Sequence, residues 1–158
     1  MTEPLADAIM QKLEQAALSY HRLILVVAPE GAGKTAALRA VGVRLSIAPT
    51  NVNLAVSSKM LDLTARQRTL QLSRLLTEAV DTAGTDIVLF DNLELLFDVS
   101  LQQDPLRLLQ GLARHKTVVA TWNGTVAAGY LTYAVPEHRE YRRYAADGLL
   151  LVSKEVRQ

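Results

Sequence analysis

The chain has 158 residues, the length of one domain with a substantial core and too short for a second full domain. With 17 basic and 16 acidic side chains, the formal net charge is +1, so charge does not mark the whole chain for nucleic-acid binding. The absence of cysteine excludes disulfide bonds and thiolate metal sites. We expect a cytoplasmic protein, because no run is apolar enough to span a membrane and the N-terminus lacks the pattern of a signal peptide.

The first predicted elements surround a glycine-containing loop. Residues 1–20 contain an amphipathic helix with Pro4 as a first helical residue. An apolar strand over residues 23–27 follows, and a helix is predicted over 34–45.

Residues 28–35, Ala-Pro-Glu-Gly-Ala-Gly-Lys-Thr, have the sequence of a phosphate-binding loop. The glycines let backbone N–H groups point at a β-phosphate, Lys34 adds charge near the β- and γ-phosphates, and the Thr35 hydroxyl can bind Mg²⁺. The first position is usually Gly and is Ala28 here, which is tolerable because it needs no positive φ. The alternative is a glycine-rich turn of another α/β protein. We expect ATP and Mg²⁺ as ligands, and the predicted nucleotide-binding residues are Glu30, Gly31, Ala32, Gly33, Lys34, Thr35 and Ala36, with no side-chain role for Glu30.

The remaining pattern predicts alternating strands and helices. The predicted strands cover residues 53–57, 86–91, 117–121 and 148–153, and the predicted helices cover 63–82 and 104–114. The long helix is expected to turn these residues inward: Leu63, Leu70, Leu72, Leu75, Leu76 and Val80. A Tyr- and Arg-rich stretch before the last strand is expected to be irregular. The fold class is therefore α/β: one domain over 1–158 with a doubly wound, five-stranded parallel sheet and helices on both faces.

The position of Asp91 favours one class of phosphate-loop protein. It ends the third predicted strand, and the strand over 53–57 separates it in sequence from the loop unit. ATPases that resemble AAA+ proteins have this chain order, with an additional strand in the sheet between the loop strand and the acidic strand. Small-molecule kinases place the acid on an adjacent strand and carry a mobile lid with arginines. This sequence contains no clear equivalent of the kinase acid or of the kinase lid, and we therefore expect no lid domain.

Four polar residues near predicted strand ends are candidates for the chemistry. Asp91 is expected to hold the water shell of Mg²⁺, although it could instead cap the following turn. Asn92 stands where related ATPases commonly have a Glu, and Glu94 follows two residues later. Asn can orient a water but cannot accept its proton, which predicts slow turnover or a nucleotide-controlled switch. Asn123 is either a γ-phosphate sensor or, before Gly124, a turn residue.

Arginines form the remaining candidate sites. Arg114 closes the helix over 104–114, where ring ATPases place an arginine that reaches a neighbour's nucleotide; alternatively, it complements the helix dipole. Arg139, Arg142 and Arg143 would share one face if helical, where they could contact DNA or a partner. More often such a run is an exposed edge.

Several motifs together resemble the BrxF family, the small phosphate-loop proteins of type III BREX phage-exclusion systems. Besides the loop, the resemblance rests on residues 63–68, 89–98, 104–110, 131–134 and 140–144, and covers nearly the whole chain. It implies a bacterial protein that works beside other BREX proteins to block phage DNA replication. The Asp-Asn-Leu-Glu pattern is also similar to that of initiator-type AAA+ regulators, which act as nucleotide switches. Two functions remain: a slow ATPase that assembles with itself or with partners, or a nucleotide-binding adaptor without meaningful turnover.

Overall fold

A computed structural model describes residues 3–153. The helices are α1 Glu3–Ala16, α2 Lys34–Leu45, α3 Val52–Met60, α4 Ala65–Ala83 and α5 Pro105–Leu112, with short 3-10 helices at Glu94–Phe97 and Val99–Leu101. The strands are β1 Leu23–Ala28, β2 Thr50–Asn51, β3 Ile87–Asp91, β4 Thr117–Ala127, β5 Tyr130–Tyr133, β6 Arg142–Ala145 and β7 Leu150–Ser153. No helix in this range is long and apolar enough to cross a membrane.

The sheet is mostly parallel. Its strands run in the order β2-β3-β4-β1-β7, and every neighbouring pair on this path is parallel. Strand β4 lies between β1 and β3, so one strand separates the loop strand from the strand that ends in Asp91. The carboxyl ends of β1, β3 and β4 therefore meet at one edge, where ligands of such sheets bind.

Within residues 3–153, the sheet has seven strands rather than the five predicted. The stretch expected to be irregular contains β5 and β6, which extend β4 in an antiparallel arrangement. Strand β4 continues through Asn123 and Gly124, a pair typical of turns. A Cβ at Gly124 would lie 1.8 Å from the carbonyl oxygen of Thr132, so the pairing of β4 with β5 depends on a residue without a side chain.

The strand predicted over 53–57 is wrong, because this segment lies in α3. Only Thr50 and Asn51 form β2, and they pair with the end of β3. The Asn51 side chain accepts a hydrogen bond from the N–H of Leu54 at 3.1 Å and begins the helix. The apolar residues Val52 and Val56 are buried at a spacing of four, which is helical.

Helix α4 begins with a capping box in which Thr64 and Gln67 each bond the other's backbone N–H. Four of the residues predicted to face inward are buried: Leu72, Leu75, Leu76 and Val80. The prediction that Leu70 faces inward is wrong, since this residue is 68% exposed.

Alternate residues of β1 enter two separate apolar clusters, as expected for a strand covered on both faces. Leu25 and Val27 pack with residues of α3, α4 and α5, whereas Ile24 and Val26 pack with residues of α1 and α2. All six residues of β1 are buried, which fixes the position of the loop that follows it.

Candidate functional site

The loop between β1 and α2 depends on two glycines in the left-handed region. Gly31 has φ 81° and Gly33 has φ 93°, where a side chain would be strained. Gly33 is the N-cap of α2 and provides no side-chain cap. The first N–H groups of a helix lack intrahelical partners, so the start of α2 can bind an anion.

Lys34 folds back onto this loop and is only 6% exposed. Its Nζ donates hydrogen bonds to the carbonyl oxygens of Ala28 at 2.9 Å and Pro29 at 2.8 Å. Burial lowers the pKa of Lys34, and the carboxylates of Asp91 and Glu94 oppose this shift. An ammonium has three donors, so two carbonyls hold this cation while one N–H remains for a ligand.

Asp91 joins three elements through hydrogen bonds. Its Oδ2 accepts from the hydroxyl of Thr35 on α2 at 2.7 Å, and its Oδ1 accepts from the hydroxyl of Thr121 on β4 at 2.7 Å. Oδ1 also accepts from the N–H of Asn92 at 2.9 Å, so Asp91 caps the following turn as well. The two predicted metal ligands, Thr35 and Asp91, are therefore in contact. The sequence analysis did not identify Thr121. The feature that could have pointed to it is a hydroxyl side chain within the otherwise apolar run of β4.

Glu94 is held by two amide side chains. Asn53 donates to its Oε1 at 3.1 Å and Asn123 donates to its Oε2 at 3.1 Å. The Asn53 side chain also accepts from the N–H of Leu95 at 2.9 Å, which ties α3 to the segment after β3. Sequence reasoning brought Glu94 and Asn123 into the site but missed Asn53, because its segment was assigned to a strand.

Asn92 follows β3 in the left-handed conformation, with φ 58°. Asn adopts this region more readily than most residues because its short polar side chain can hydrogen-bond locally. The carbonyl oxygen of Asn92 accepts from the N–H of Asn53 at 2.9 Å, which fixes the turn between β3 and Glu94.

These groups surround a cleft of about 360 Å³ at the carboxyl edge of the sheet. Its lining residues are Glu30, Gly31, Gly33, Lys34, Thr35, Ala36, Arg39, Asp91, Asn92, Glu94 and Asn123. Arg39 was not among the predicted residues; its signal is a cation four positions after Thr35 on the same helix.

Arg114 lies away from this cleft, between α5 and the start of β4. Its guanidinium is 5.5 Å from the ring centre of Tyr20, and its carbonyl oxygen accepts from Arg22 at 3.3 Å. These neighbours precede β1, whereas the loop follows it. Because β1 has six residues, its two ends are about 20 Å apart, and Arg114 lies beside the end that is away from the cleft.

The three C-terminal arginines do not share a helix face, because the run is not helical and the condition for that arrangement is not met. Arg142 and Arg143 lie in β6, where adjacent side chains point to opposite faces. Arg142 donates to the carbonyl oxygen of Gln103 at 2.8 Å, and the guanidinium of Arg143 lies 4.1 Å from the ring centre of Tyr130. Arg139 lies outside the strand and is exposed.

The candidate site therefore lies in an α/β fold, at the loop between the first strand and its helix, with a carboxylate across the cleft. No protein-family model matches this chain, and no curated protein matches its sequence. A solved structure of C. elegans PCH-2 is similar to 79% of this chain, with 21% identity and a TM-score of 0.42. The matched region spans 37% of the PCH-2 chain, so this chain covers little more than a third of that protein's length.

Proposed function

We propose that this chain binds ATP with Mg²⁺ in the cleft after β1 and hydrolyses it slowly. The observation that carries the proposal is the convergence of Lys34, Thr35, Asp91 and Glu94 on one cleft beside a helix start without a side-chain cap. The position of β4 between β1 and β3 supports an AAA+-like core, for which we propose no lid domain.

The oxygen atoms in the cleft fit Mg²⁺. Thr35 Oγ1 and Asp91 Oδ2 lie 2.7 Å apart, and Mg²⁺ commonly takes one or two protein oxygens together with phosphates and waters. Within residues 3–153, no group of three or more His, Asp or Glu side chains could hold a metal ion. When bound, the ion would neutralise charge on the β- and γ-phosphates.

Glu94 is our candidate for the general base. In the hydrolysis, a water oxygen bonds to the γ-phosphorus, the bond from that phosphorus to the β,γ-bridging oxygen breaks, and ADP leaves. Glu94 accepts the proton of the water, while the amides of Asn53 and Asn123 keep its carboxylate in one orientation. Asn92 can orient the water without accepting its proton, which supports slow turnover.

A second candidate function is a nucleotide-dependent adaptor or switch without meaningful turnover. The observation that favours it is Asn92 in the position that a Glu commonly occupies. Single-turnover hydrolysis of ATP by the purified protein, with and without DNA, separates the two candidates. Measurable conversion of bound ATP to ADP supports the ATPase, whereas ATP that stays bound and unhydrolysed supports the switch.

Nucleotide binding itself is tested by thermal stabilisation. ATP at about 100 times its dissociation constant should stabilise the protein by about 2.7 kcal/mol, and Lys34→Ala and Thr35→Ala should each abolish or strongly reduce this effect. Lys59→Ala is the control, since Lys59 is an exposed α3 residue paired with Glu78 at 3.5 Å. Lys34 is buried, so each variant must be compared with its own nucleotide-free melting temperature. Equal shifts in all four proteins would contradict the proposal.

The cellular role we propose is a cytoplasmic one in BREX defence, beside other BREX proteins or in a self-assembly. Its support is the sequence resemblance to the BrxF family. A contact with DNA through Arg139, Arg142 or Arg143 remains a proposal, although these residues do not lie together on one helix face. Replacing the wild-type protein with the Lys34→Ala variant in a host that carries a BREX system should remove phage resistance. Full resistance with this variant would contradict a nucleotide-dependent role.

A further inference from the structure

Arg39 lines the cleft but has no role in the reaction proposed above. It is exposed on α2, and it lines the cleft together with Thr35, Asp91 and Glu94. Among the described residues it has no hydrogen-bond or ion-pair partner. Arg44, on the same helix, instead pairs with Asp7 at 2.7 Å.

The geometry of the helix directs Arg39 toward the phosphate loop. Residues four apart on a helix share a face, so Arg39 lies on the same face as Thr35. Helical side chains tilt toward the N-terminus, and a long side chain covers the turn before its own Cα. The guanidinium can therefore reach back to the side of the cleft where the Thr35 hydroxyl contacts Asp91.

A bound triphosphate would add negative charge to a cleft whose lining already has more acidic than basic side chains. The lining contains three carboxylates, of Glu30, Asp91 and Glu94, and two cations, Lys34 and Arg39. Lys34 already donates to two backbone carbonyls. A guanidinium forms paired, charge-assisted hydrogen bonds with phosphate oxygens, so Arg39 has the chemistry that the anionic ligand needs.

We propose that Arg39 binds the terminal phosphate of a nucleoside triphosphate held by the same chain. This inference rests on the proposed function. The terminal phosphate is favoured over the inner ones because Arg39 shares the Thr35 face of α2, and Thr35 contacts Asp91 beside the candidate base segment. Arg39 then discriminates ATP from ADP and stabilises charge on the transferred phosphoryl group.

The experiment compares ATP and ADP binding in Arg39→Gln and in the wild type, by calorimetry with Mg²⁺. We expect Arg39→Gln to weaken ATP binding by about tenfold or more, the effect of a lost hydrogen bond to a charged group. ADP binding should change by less than about twofold, since ADP lacks the phosphate that Arg39 contacts. Hydrolysis at saturating ATP should fall, and Arg39→Lys should restore part of the affinity because it keeps the charge without the paired donors.

Arg44→Gln is the matched control, because it removes the same charge from the same helix outside the cleft lining. It should leave the ratio of ATP to ADP affinity unchanged. Equal losses of affinity for ATP and for ADP in Arg39→Gln would contradict the assignment of Arg39 to the terminal phosphate. Unchanged affinities and an unchanged hydrolysis rate would show that Arg39 does not contact the nucleotide. Failure of the wild type to bind either nucleotide would instead contradict the proposed function.

Discussion

The side-chain amide of Asn123 donates a hydrogen bond to Oε2 of Glu94 at 3.1 Å and so connects β4 to the segment after β3. Asn53 occupies the other carboxylate oxygen, so the orientation of Glu94 depends on two elements that are distant in sequence. If nucleotide binds beside this carboxylate, the amides determine where its proton-accepting oxygens point.

The first prediction concerns the base. Glu94→Gln should lower single-turnover hydrolysis by about 10²-fold or more, because an amide cannot accept the proton of the water. Asn92→Glu should raise hydrolysis by placing a carboxylate directly after Asp91. Glu78→Gln on α4 is the control. If Glu94→Gln leaves a measurable wild-type rate unchanged, Glu94 is structural.

The second prediction concerns the hydroxyl that orients Asp91. Thr121→Val keeps the shape of this buried residue and removes the 2.7 Å hydrogen bond to Asp91 Oδ1. We expect the free energy of unfolding to fall by about 1–3 kcal/mol and nucleotide stabilisation to require more Mg²⁺. Thr117→Val, at the first residue of β4 and also buried, is the matched control. A Mg²⁺ titration that is identical for Thr121→Val and wild type would remove Thr121 from the site.

The third prediction tests the antiparallel extension of the sheet. Gly124→Ala should destabilise the protein by about 1–3 kcal/mol, because the new Cβ would meet the Thr132 carbonyl oxygen at 1.8 Å. Gly111→Ala is the control: nothing lies within 4 Å of its added Cβ, and Ala favours the helix. Urea unfolding measures both. Equal stability of the two variants would contradict the close pairing of β4 with β5.

The fourth prediction concerns Arg114, which lies beside the end of β1 that is away from its own cleft, so we expect it to act on a nucleotide bound by another copy. We expect nucleotide-dependent self-association, with Arg114→Ala weakening hydrolysis or assembly while monomer binding of ADP stays nearly unchanged. Lys34→Ala subunits should rescue the activity of Arg114→Ala subunits when the two are mixed. A monomer at every concentration in analytical ultracentrifugation, with ATP or ADP, would return Arg114 to a role at the helix end.

The fifth prediction concerns alkaline stability. Burial raises the pKa of Tyr133 to about 12 and also raises the pKa of Tyr144, whose hydroxyl donates to Asp104 at 2.9 Å. The unfolded chain therefore loses these protons first, near the ordinary pKa of 10. The contribution of Tyr133 to stability is complete below about pH 10 and is lost progressively between pH 10 and 12, and that of Tyr144 is also lost as the pH rises above 10.

Urea unfolding between pH 9 and 11 tests this sign. The double variant Tyr133→Phe/Tyr144→Phe should show a smaller loss of unfolding free energy with rising pH than the wild type. Tyr20→Phe, at a residue 71% exposed, should keep the wild-type slope. A double variant with the wild-type slope would show that other groups cause the alkaline loss.

Local signals in the sequence were sufficient to predict the strand and the helix on either side of the loop at residues 28–35. Gly31 and Gly33 are needed where the backbone takes positive φ, and the apolar run of β1 is buried throughout. The side chains of the loop are also adjacent in sequence. Their placement therefore follows from short-range geometry that a pattern can represent.

Long-range contacts decided the rest. The alternation of residues 53–57 is compatible with a strand, but the Asn51 cap and the burial of Val52 and Val56 in the apolar cluster that includes residues of α4 favour a helix. That helix brings Asn53 to Glu94 across 41 positions. Likewise, Thr121 reaches Asp91 and Arg39 reaches the cleft only because the chain folds three strand ends and one helix together at a single edge. The sequence by itself determined the loop, Lys34, Thr35 and the strand-end acid; the tertiary structure alone decided which distant polar groups surround them, because hydrogen bonds between strands and helices leave no periodic signal along the chain.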